Sequence, residues 1–356
     1  MKKILHLTKT YHPYTYGGVE TVIKKITNLL SKNYKFDILS TNKFDNTLIK
    51  KKNISYFSFK ENLNIFSTPF SINLLLHFYR SKNLYSIINF HYPWPFMNLC
   101  IFFLRKKIKK VVTYHADAIS GNKIIDILYL PFAFFFLKKM DKIVVTSSQY
   151  YKSSKILKFF KKKIKIIPNF IDVKKINKIN DKNYILFLGA LRKYKGFDVI
   201  RDAAKLVNYK FILAGNFTKK DIIKFNFSKN VKFIFKPSEK KKNELLKSCS
   251  LLILPSTNRL EAFGLALLEA ANFKKPVISS NLSTGVNSII KNNFNGFLIR
   301  PNDYVQLVKK INYLMQNIKI RKKMGLKNYK ILINKFNSKM GAAKYKKLYY
   351  NLLSIK

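Results

Sequence analysis

The chain has 356 residues, a length that suits two domains of ordinary size better than one. Hydrophobic residues make up 47%, which excludes intrinsic disorder, and the formal net charge of +52 invites an anionic partner. Only seven of the 69 basic residues are Arg. The Lys excess is spread over every segment with many Asn, Ile and Phe, which reads as the codon bias of an AT-rich genome plus a contribution from membrane-surface attraction. Lys lacks the guanidinium fork that reads bases and phosphates, so nucleic acid is not the expected partner.

The start, MKKILHLTKTYHPY, carries too short an apolar run for a signal-peptide core, which implies a cytoplasmic protein. Lys3–Leu7, Phe36–Leu39, Ile87–Phe90, Val111–Tyr114 and Ile143–Thr146 are predicted as buried strands. After Gly17 and Gly18, the residues Val22, Ile23, Ile26, Leu29 and Leu30 recur at the spacing of one helix face. The longest apolar stretch, Ile124 to Leu137, is interrupted by Asp126 and Pro131 and falls short of a bilayer span of ~20 residues. Cys100 and Cys249 have no metal-ligand spacing and read as buried small hydrophobes. The polar stretch from Asp172 to Asn183 reads as a linker. A second series of strands follows at Tyr184–Leu188, Phe211–Ala214, Val231–Phe235, Leu251–Leu254 and Pro276–Ser279, and the chain beyond Asp303 is predicted helical, with Leu307, Ile311 and Leu314 on one face. Lys161–Lys163 and Lys240–Lys242 read as solvated faces. This alternation is the α/β signature, given twice.

The strongest chemical signal is Glu261-Ala262-Phe263-Gly264-Leu265-Ala266-Leu267-Leu268-Glu269, directly after a strand and the Pro255-Ser256 turn. A helix starting near Phe263 would aim unpaired N–H groups at an anion outside the carboxyl end of the sheet, where a diphosphate fits. Eight helical residues span at most ~12 Å, so one Glu would stand at each end of a nucleotide sugar. Two Glu at that spacing are also common on solvated helices, and the flanking sequence decides.

With its continuation KKPVISSNLSTGVNSIIKNNFNGFLIRPND, this segment resembles the donor-site region of family 4 retaining glycosyltransferases of the GT-B fold. The resemblance spans most of the chain and implies two Rossmann-like parallel-sheet domains facing a cleft: residues 1–172 on the acceptor side, 173–335 for the nucleotide sugar, and a helix over 336–356 returning to the first domain. It implies that Glu261, with Phe263, Gly264 and Leu265, meets the donor sugar and that Glu269 meets ribose hydroxyls. Gly189-Ala190-Leu191-Arg192-Lys193-Tyr194-Lys195-Gly196 resembles the family's diphosphate loop. The family commonly has Arg where Ala190 stands, so phosphate contact falls to Arg192 and Lys195. Gly17-Gly18-Val19-Glu20 resembles the family's glycine loop, where backbone approaches donor phosphate or acceptor. Thr113-Tyr114-His115-Ala116-Asp117 resembles its His loop, which puts His115 near the transferred sugar. His91-Tyr92-Pro93-Trp94-Pro95 looks like a further family feature. So do Thr146–Tyr150 and Ile167–Asp172, which read as mainly structural.

His115, Lys195 and Glu261 are therefore the expected catalytic residues. The loop pattern is similar to a subgroup that includes mannosyltransferases of bacterial surface polysaccharides, which implies hexosyl transfer from a nucleoside diphosphate sugar such as GDP-mannose to a lipid-linked or oligosaccharide acceptor, with retention. No Asp-x-Asp pair occurs, so no metal is expected. No GxGxxG or GxxxxGK[ST] occurs either, which disfavours dehydrogenases and P-loop enzymes. Phe132, Phe134, Phe135 and Phe136 before Lys138 and Lys139, and Phe159-Phe160 before Lys161–Lys163, pair apolar anchors with cations. They imply peripheral contact with an anionic membrane, at the inner face of the plasma membrane. The rival readings are a non-catalytic basic protein binding membrane or nucleic acid, and a phosphorylase or epimerase on the same fold.

Overall fold

The computed structural model describes residues 1–15, 17–65, 67–118, 123–174, 176 and 180–354. It divides into two compact units, one made of Met1–Ser147, Tyr151–Asn169 and Ser338–Lys356, the other of Ser148–Tyr150 and Phe170–Asn337. Of the expected linker, residues 175 and 177–179 lie outside the described residues, and the others form neither helix nor strand.

The first unit is built on β1 (Lys3–Leu7), β2 (Lys35–Asn42), β3 (Thr47–Lys51), β4 (Ile54–Lys60), a hairpin of β5 (Leu63–Ile65) and β6 (Thr68–Phe70), then β7 (Ile87–Tyr92), β8 (Lys109–Tyr114), β9 (Lys142–Val145) and β10 (Ile164–Ile166). Eight of these pair in the order β10-β9-β8-β7-β1-β2-β4-β3, all parallel except the edge strand β3. Crossover helices cover a parallel sheet on both faces, so β7 is buried along its whole length. The helix Gly18–Leu30 presents Val22, Ile23, Ile26 and Leu30 to the core. The last helix, Ser338–Ser354, packs beside it and buries Tyr345, Tyr349 and Leu352. The apolar stretch before Lys138 forms the helix Lys123–Lys138 with Pro131 inside it. No helix among the described residues is long and apolar enough to cross a membrane.

The second unit carries β11 (Tyr184–Leu188), β12 (Lys210–Gly215), β13 (Val231–Phe235), β14 (Leu251–Leu254), β15 (Val277–Ser280) and β16 (Gly296–Ile299), all parallel, in the order β13-β12-β11-β14-β15-β16. From β11 the chain winds outward to β13, then returns to lay β14 on the other side of β11. The order reverses between β11 and β14, and that crevice is where open parallel sheets bind ligands. Leu307, Ile311 and Leu314 of the helix Tyr304–Gln316 are fully buried in this unit's core. Cys100 and Cys249 are both buried and free, one in each unit.

Candidate functional site

In the second unit, three loops meet beyond the carboxyl ends of β11, β14 and β15. The β11 loop makes a single helical turn at Lys193–Lys195 and ends on Gly196, whose φ of +74° is left-handed and whose missing Cβ avoids the Pro255 carbonyl. Thr257 N–H donates to the Tyr194 carbonyl at 2.8 Å, tying the β11 loop to the β14 loop. That contact sets Lys195 against Glu261, with Nζ 2.5 Å from Oε2 and side chains only 14% and 8% exposed. Ser256 Oγ donates to the same carboxylate oxygen at 2.9 Å, and Thr284 Oγ1 to the Glu261 carbonyl at 2.9 Å, so the β15 loop fixes this backbone too. Burial works to lower the pKa of Lys195, but the Glu261 carboxylate and its hydrogen bond more than reverse this and raise it. Lys195 is a fixed cation.

The helix after Glu261 begins at Leu265, two residues beyond Phe263, with Gly264 as N-cap at φ +81°. Glu261 therefore stands in the loop ahead of the helix. No side chain caps this end, so the first-turn N–H groups keep their partial positive charge for an incoming anion. Phe263 turns inward and packs on Phe336 at 5.9 Å, leaving only its backbone at the loop, and Leu265 is partly buried. Glu269, one turn into this helix, is not a free carboxylate: Lys242 Nζ lies 2.9 Å from it and 2.7 Å from Glu239. Lys242 is thus drawn into this neighbourhood, contrary to its reading as part of a solvated run. Its pKa is pulled down by burial and raised on balance by Glu269 and Glu239. Arg192 is exposed and makes no ion pair among the described residues, so its side chain can reach a ligand. Ser256, Thr284 and Lys242 were not singled out from sequence. Only the turn position of Ser256 pointed to it.

In the first unit, Gly17 is the N-cap of Gly18–Leu30, and a Cβ there would run into the Glu20 carboxylate, which Thr10 Oγ1 holds at 2.6 Å. Glu20 is buried, and desolvation raises its pKa against those hydrogen bonds. His115 follows β8 directly and is 8% exposed. It stacks on His91 and bonds it at 2.9 Å, and His91 in turn bonds His6 at 2.8 Å. Burial pushes His6 down to about 3 and His115 to about 4, and burial with its two neighbours pushes His91 well below the usual imidazole range. All three are neutral near pH 7. Among the described residues no group of three His, Cys, Asp or Glu could hold a metal ion.

The two Phe-Lys segments form one surface patch on this unit. Phe134 packs on Phe159 at 5.7 Å and on Phe160 at 5.0 Å, while Phe135 stacks on Phe102 at 5.7 Å. Ile124, Ile127, Leu128, Leu130 and Phe132 extend the exposed apolar surface along the helix, with Phe132 65% and Phe159 73% exposed. Two residues expected in the patch belong elsewhere: Phe136 is fully buried against Phe90 and Phe160 is nearly so. Among the described residues of this helix only Ala133, Phe136 and Leu137 are buried, all in its second half.

Residues 169–331 match the model of Glycosyl transferases group 1, and residues 16–175 match that of Glycosyltransferase Family 4. The chain is 31% identical to O-antigen chain mannosyltransferase C of Escherichia coli, over 99% of this chain and 100% of the relative. It is 28% identical to D-rhamnosyltransferase WbpZ of Pseudomonas aeruginosa, over 91% and 89%. Among solved structures it is similar to sucrose-phosphate synthase from Thermosynechococcus elongatus, with a TM-score of 0.83, 16% identity and all of both chains covered. It is also similar to Anabaena HepE in complex with UDP-glucose, with a TM-score of 0.76, 16% identity, 99% of this chain and 100% of that one.

Proposed function

The chain belongs to the family 4 glycosyltransferases of the GT-B fold, and from that premise we propose that it transfers a hexosyl group of manno configuration, with retention, from a GDP-sugar to a growing surface polysaccharide. The observation that supports this best is the buried Lys195–Glu261 pair beside an uncapped helix start at the β11/β14 reversal. In this reading Lys195, Arg192 and the first-turn amides of Leu265–Asn272 stabilise the leaving diphosphate, where negative charge grows in the transition state. Glu261, held by Lys195 and Ser256, accepts from hydroxyls of the transferred sugar, and Glu269 accepts from the ribose. His115 contacts the transferred sugar, and Gly17 and Gly18 bring backbone to the donor or acceptor. The departing phosphate oxygen helps take the acceptor's proton on the same face. The relatives' names favour the manno series, since D-rhamnose is 6-deoxy-D-mannose.

A thermal-shift panel tests the donor, because a ligand that binds only the native state raises its stability by RT ln(1 + [L]/Kd). GDP-mannose should stabilise the chain at lower concentration than UDP-glucose. Stabilisation by UDP-sugars alone would overturn the donor assignment, and no response to any nucleotide sugar would overturn the site.

The same reading places the acceptor on a lipid and the first unit against an anionic membrane. The patch of Phe102, Phe132, Phe134, Phe135 and Phe159 supplies apolar anchors, with Lys138, Lys139, Lys161 and Lys162 exposed beside it. Each cation near an anionic leaflet adds on the order of 1 kcal/mol. Co-sedimentation should require anionic lipid and fall steeply with salt. Equal recovery in the supernatant with neutral and anionic vesicles at low salt would refute it.

A further inference from the structure

Three adjacent strands of the first unit carry a line of polar side chains on one face. Asn89 and His91 alternate along β7. Thr113 lies opposite His91 on β8, His115 follows two residues later, and His6 lies opposite Asn89 on β1. In a face otherwise packed with aliphatic and aromatic groups, each of these must find a partner. They find each other. Thr113 Oγ1 donates to Asn89 Oδ1 at 3.0 Å, which turns the amide nitrogen toward Tyr349 of the last helix, where Nδ2 donates to the phenol oxygen at 2.9 Å. Tyr349 lies 3.4 Å from His6 Nε2, His6 Nδ1 lies 2.8 Å from His91 Nε2, and His91 Nδ1 lies 2.9 Å from His115 Nε2.

A neutral imidazole has one N–H and one lone pair, so a hydrogen bond at one nitrogen decides what the other can do. A row of three passes that decision along. With Asn89 donating to the phenol oxygen, the phenol proton is free for His6 Nε2. A phenol is also the stronger donor and imidazole the stronger acceptor in such a pair. His6 Nε2 then accepts, so His6 carries its proton on Nδ1 and donates to His91 Nε2. His91 likewise carries Nδ1–H and donates to His115 Nε2.

We propose that Asn89, Tyr349, His6 and His91 are positioning residues that hold His115 as its Nδ1–H tautomer, so that it offers a substrate oxygen a hydrogen-bond donor and never a base. His115 Nδ1 has no hydrogen bond among the described residues. The consequence rests on His115 meeting substrate, as proposed above. A donor N–H orients or polarises an oxygen that accepts, and the acceptor's proton must leave by another route.

The test is a long-range 1H–15N correlation spectrum of the full chain with ring-labelled histidine near pH 7.5, assigned by single His→Gln variants. The chain has five histidines, so every ring pattern can be assigned. Free neutral histidine prefers the proton on Nε2. His6, His91 and His115 should all appear as Nδ1–H. Tyr349→Phe, which removes the phenol proton at the far end of the row, should return His115 toward the Nε2–H form although it touches neither His115 nor His91. Should that variant fail to fold, the wild-type spectrum decides by itself. An Nε2–H pattern for His115 in the wild type, or an Nδ1–H pattern unmoved in folded Tyr349→Phe, overturns the inference and leaves the transferase reading standing. Absence of sugar transfer with the Nδ1–H pattern present sinks the role of His115 and leaves the relay.

Discussion

Replacing Lys195 by Met should damage stability and activity separately, and the structure sets the size of the first effect. Breaking a buried ion pair by removing one partner costs about 3–5 kcal/mol, because the remaining charge stays desolvated. Glu261 keeps the Ser256 hydrogen bond at 2.9 Å and is 8% exposed, so the loss belongs at the lower end, about 3 kcal/mol. For a domain of this size each kcal/mol moves Tm by about 2–4 °C, giving a fall of about 6–12 °C. The double variant Lys195→Met/Glu261→Leu leaves no orphaned charge and should recover to within about 1 kcal/mol of the wild type. Its turnover should stay near zero, since neither the proposed diphosphate cation nor the proposed sugar-binding carboxylate is restored. Urea denaturation and a transfer assay on the wild type, both single variants and the double variant complete the cycle. A Lys195→Met protein as stable as the wild type would refute the buried pair. A double variant that regains turnover along with stability would show the pair to be scaffolding.

Glu269→Ala should weaken donor affinity by about 1.5–3 kcal/mol, roughly tenfold to a hundredfold, through loss of the proposed ribose bond, and an unchanged donor Kd in the folded variant would remove Glu269 from the site. Transfer should proceed in excess chelator, because the proposed site gives the diphosphate Lys195 and the helix amides and the sequence has no Asp-x-Asp pair. Restoration by magnesium or manganese after complete loss would overturn this. Stability should fall in mild acid. The three buried imidazoles have folded pKa values below the unfolded 6.5, so their contribution is intact above pH ~6.5 and is lost as pH drops toward the folded values. Below the unfolded pKa each imidazole that stays neutral in the fold loses up to about 1.4 kcal/mol per pH unit, and equal urea midpoints at pH 7 and pH 5 would refute it.

The parts of the fold legible in the sequence are those whose burial is continuous. Tyr184–Leu188 and Leu251–Leu254 sit inside a sheet covered on both faces and read as unbroken apolar runs. The strands missed are of another kind. Ile54–Lys60 alternates Ser with aromatic residues near a sheet edge, Thr47–Lys51 is an exposed antiparallel edge, and Gly296–Ile299 is four residues long beside Asn-rich turns. In the candidate site, the loops were legible because a strand, a glycine and a helix start occur in order. The pairing of Lys195 with Glu261, 66 residues apart, was not. It depends on β14 returning to lie beside β11, which no local pattern encodes.

The row behind His115 makes the opposite point. Its signal was local, since His6, Asn89, His91 and Thr113 interrupt runs that are otherwise apolar and buried. A fully buried polar side chain in a central strand requires a partner, and its direction can be read from the two-residue period: Asn89 with His91, and Thr113 with His115, must share faces. What the period does not supply is the order of the strands or the helix that closes the row, because Tyr349 arrives from the far end of the chain, 343 residues after His6. A buried histidine in a strand is therefore a reason to look for the next one on the neighbouring strand before assigning it to packing. Here that search runs from His115 at the end of β8, through two central strands, to the helix that ends the chain.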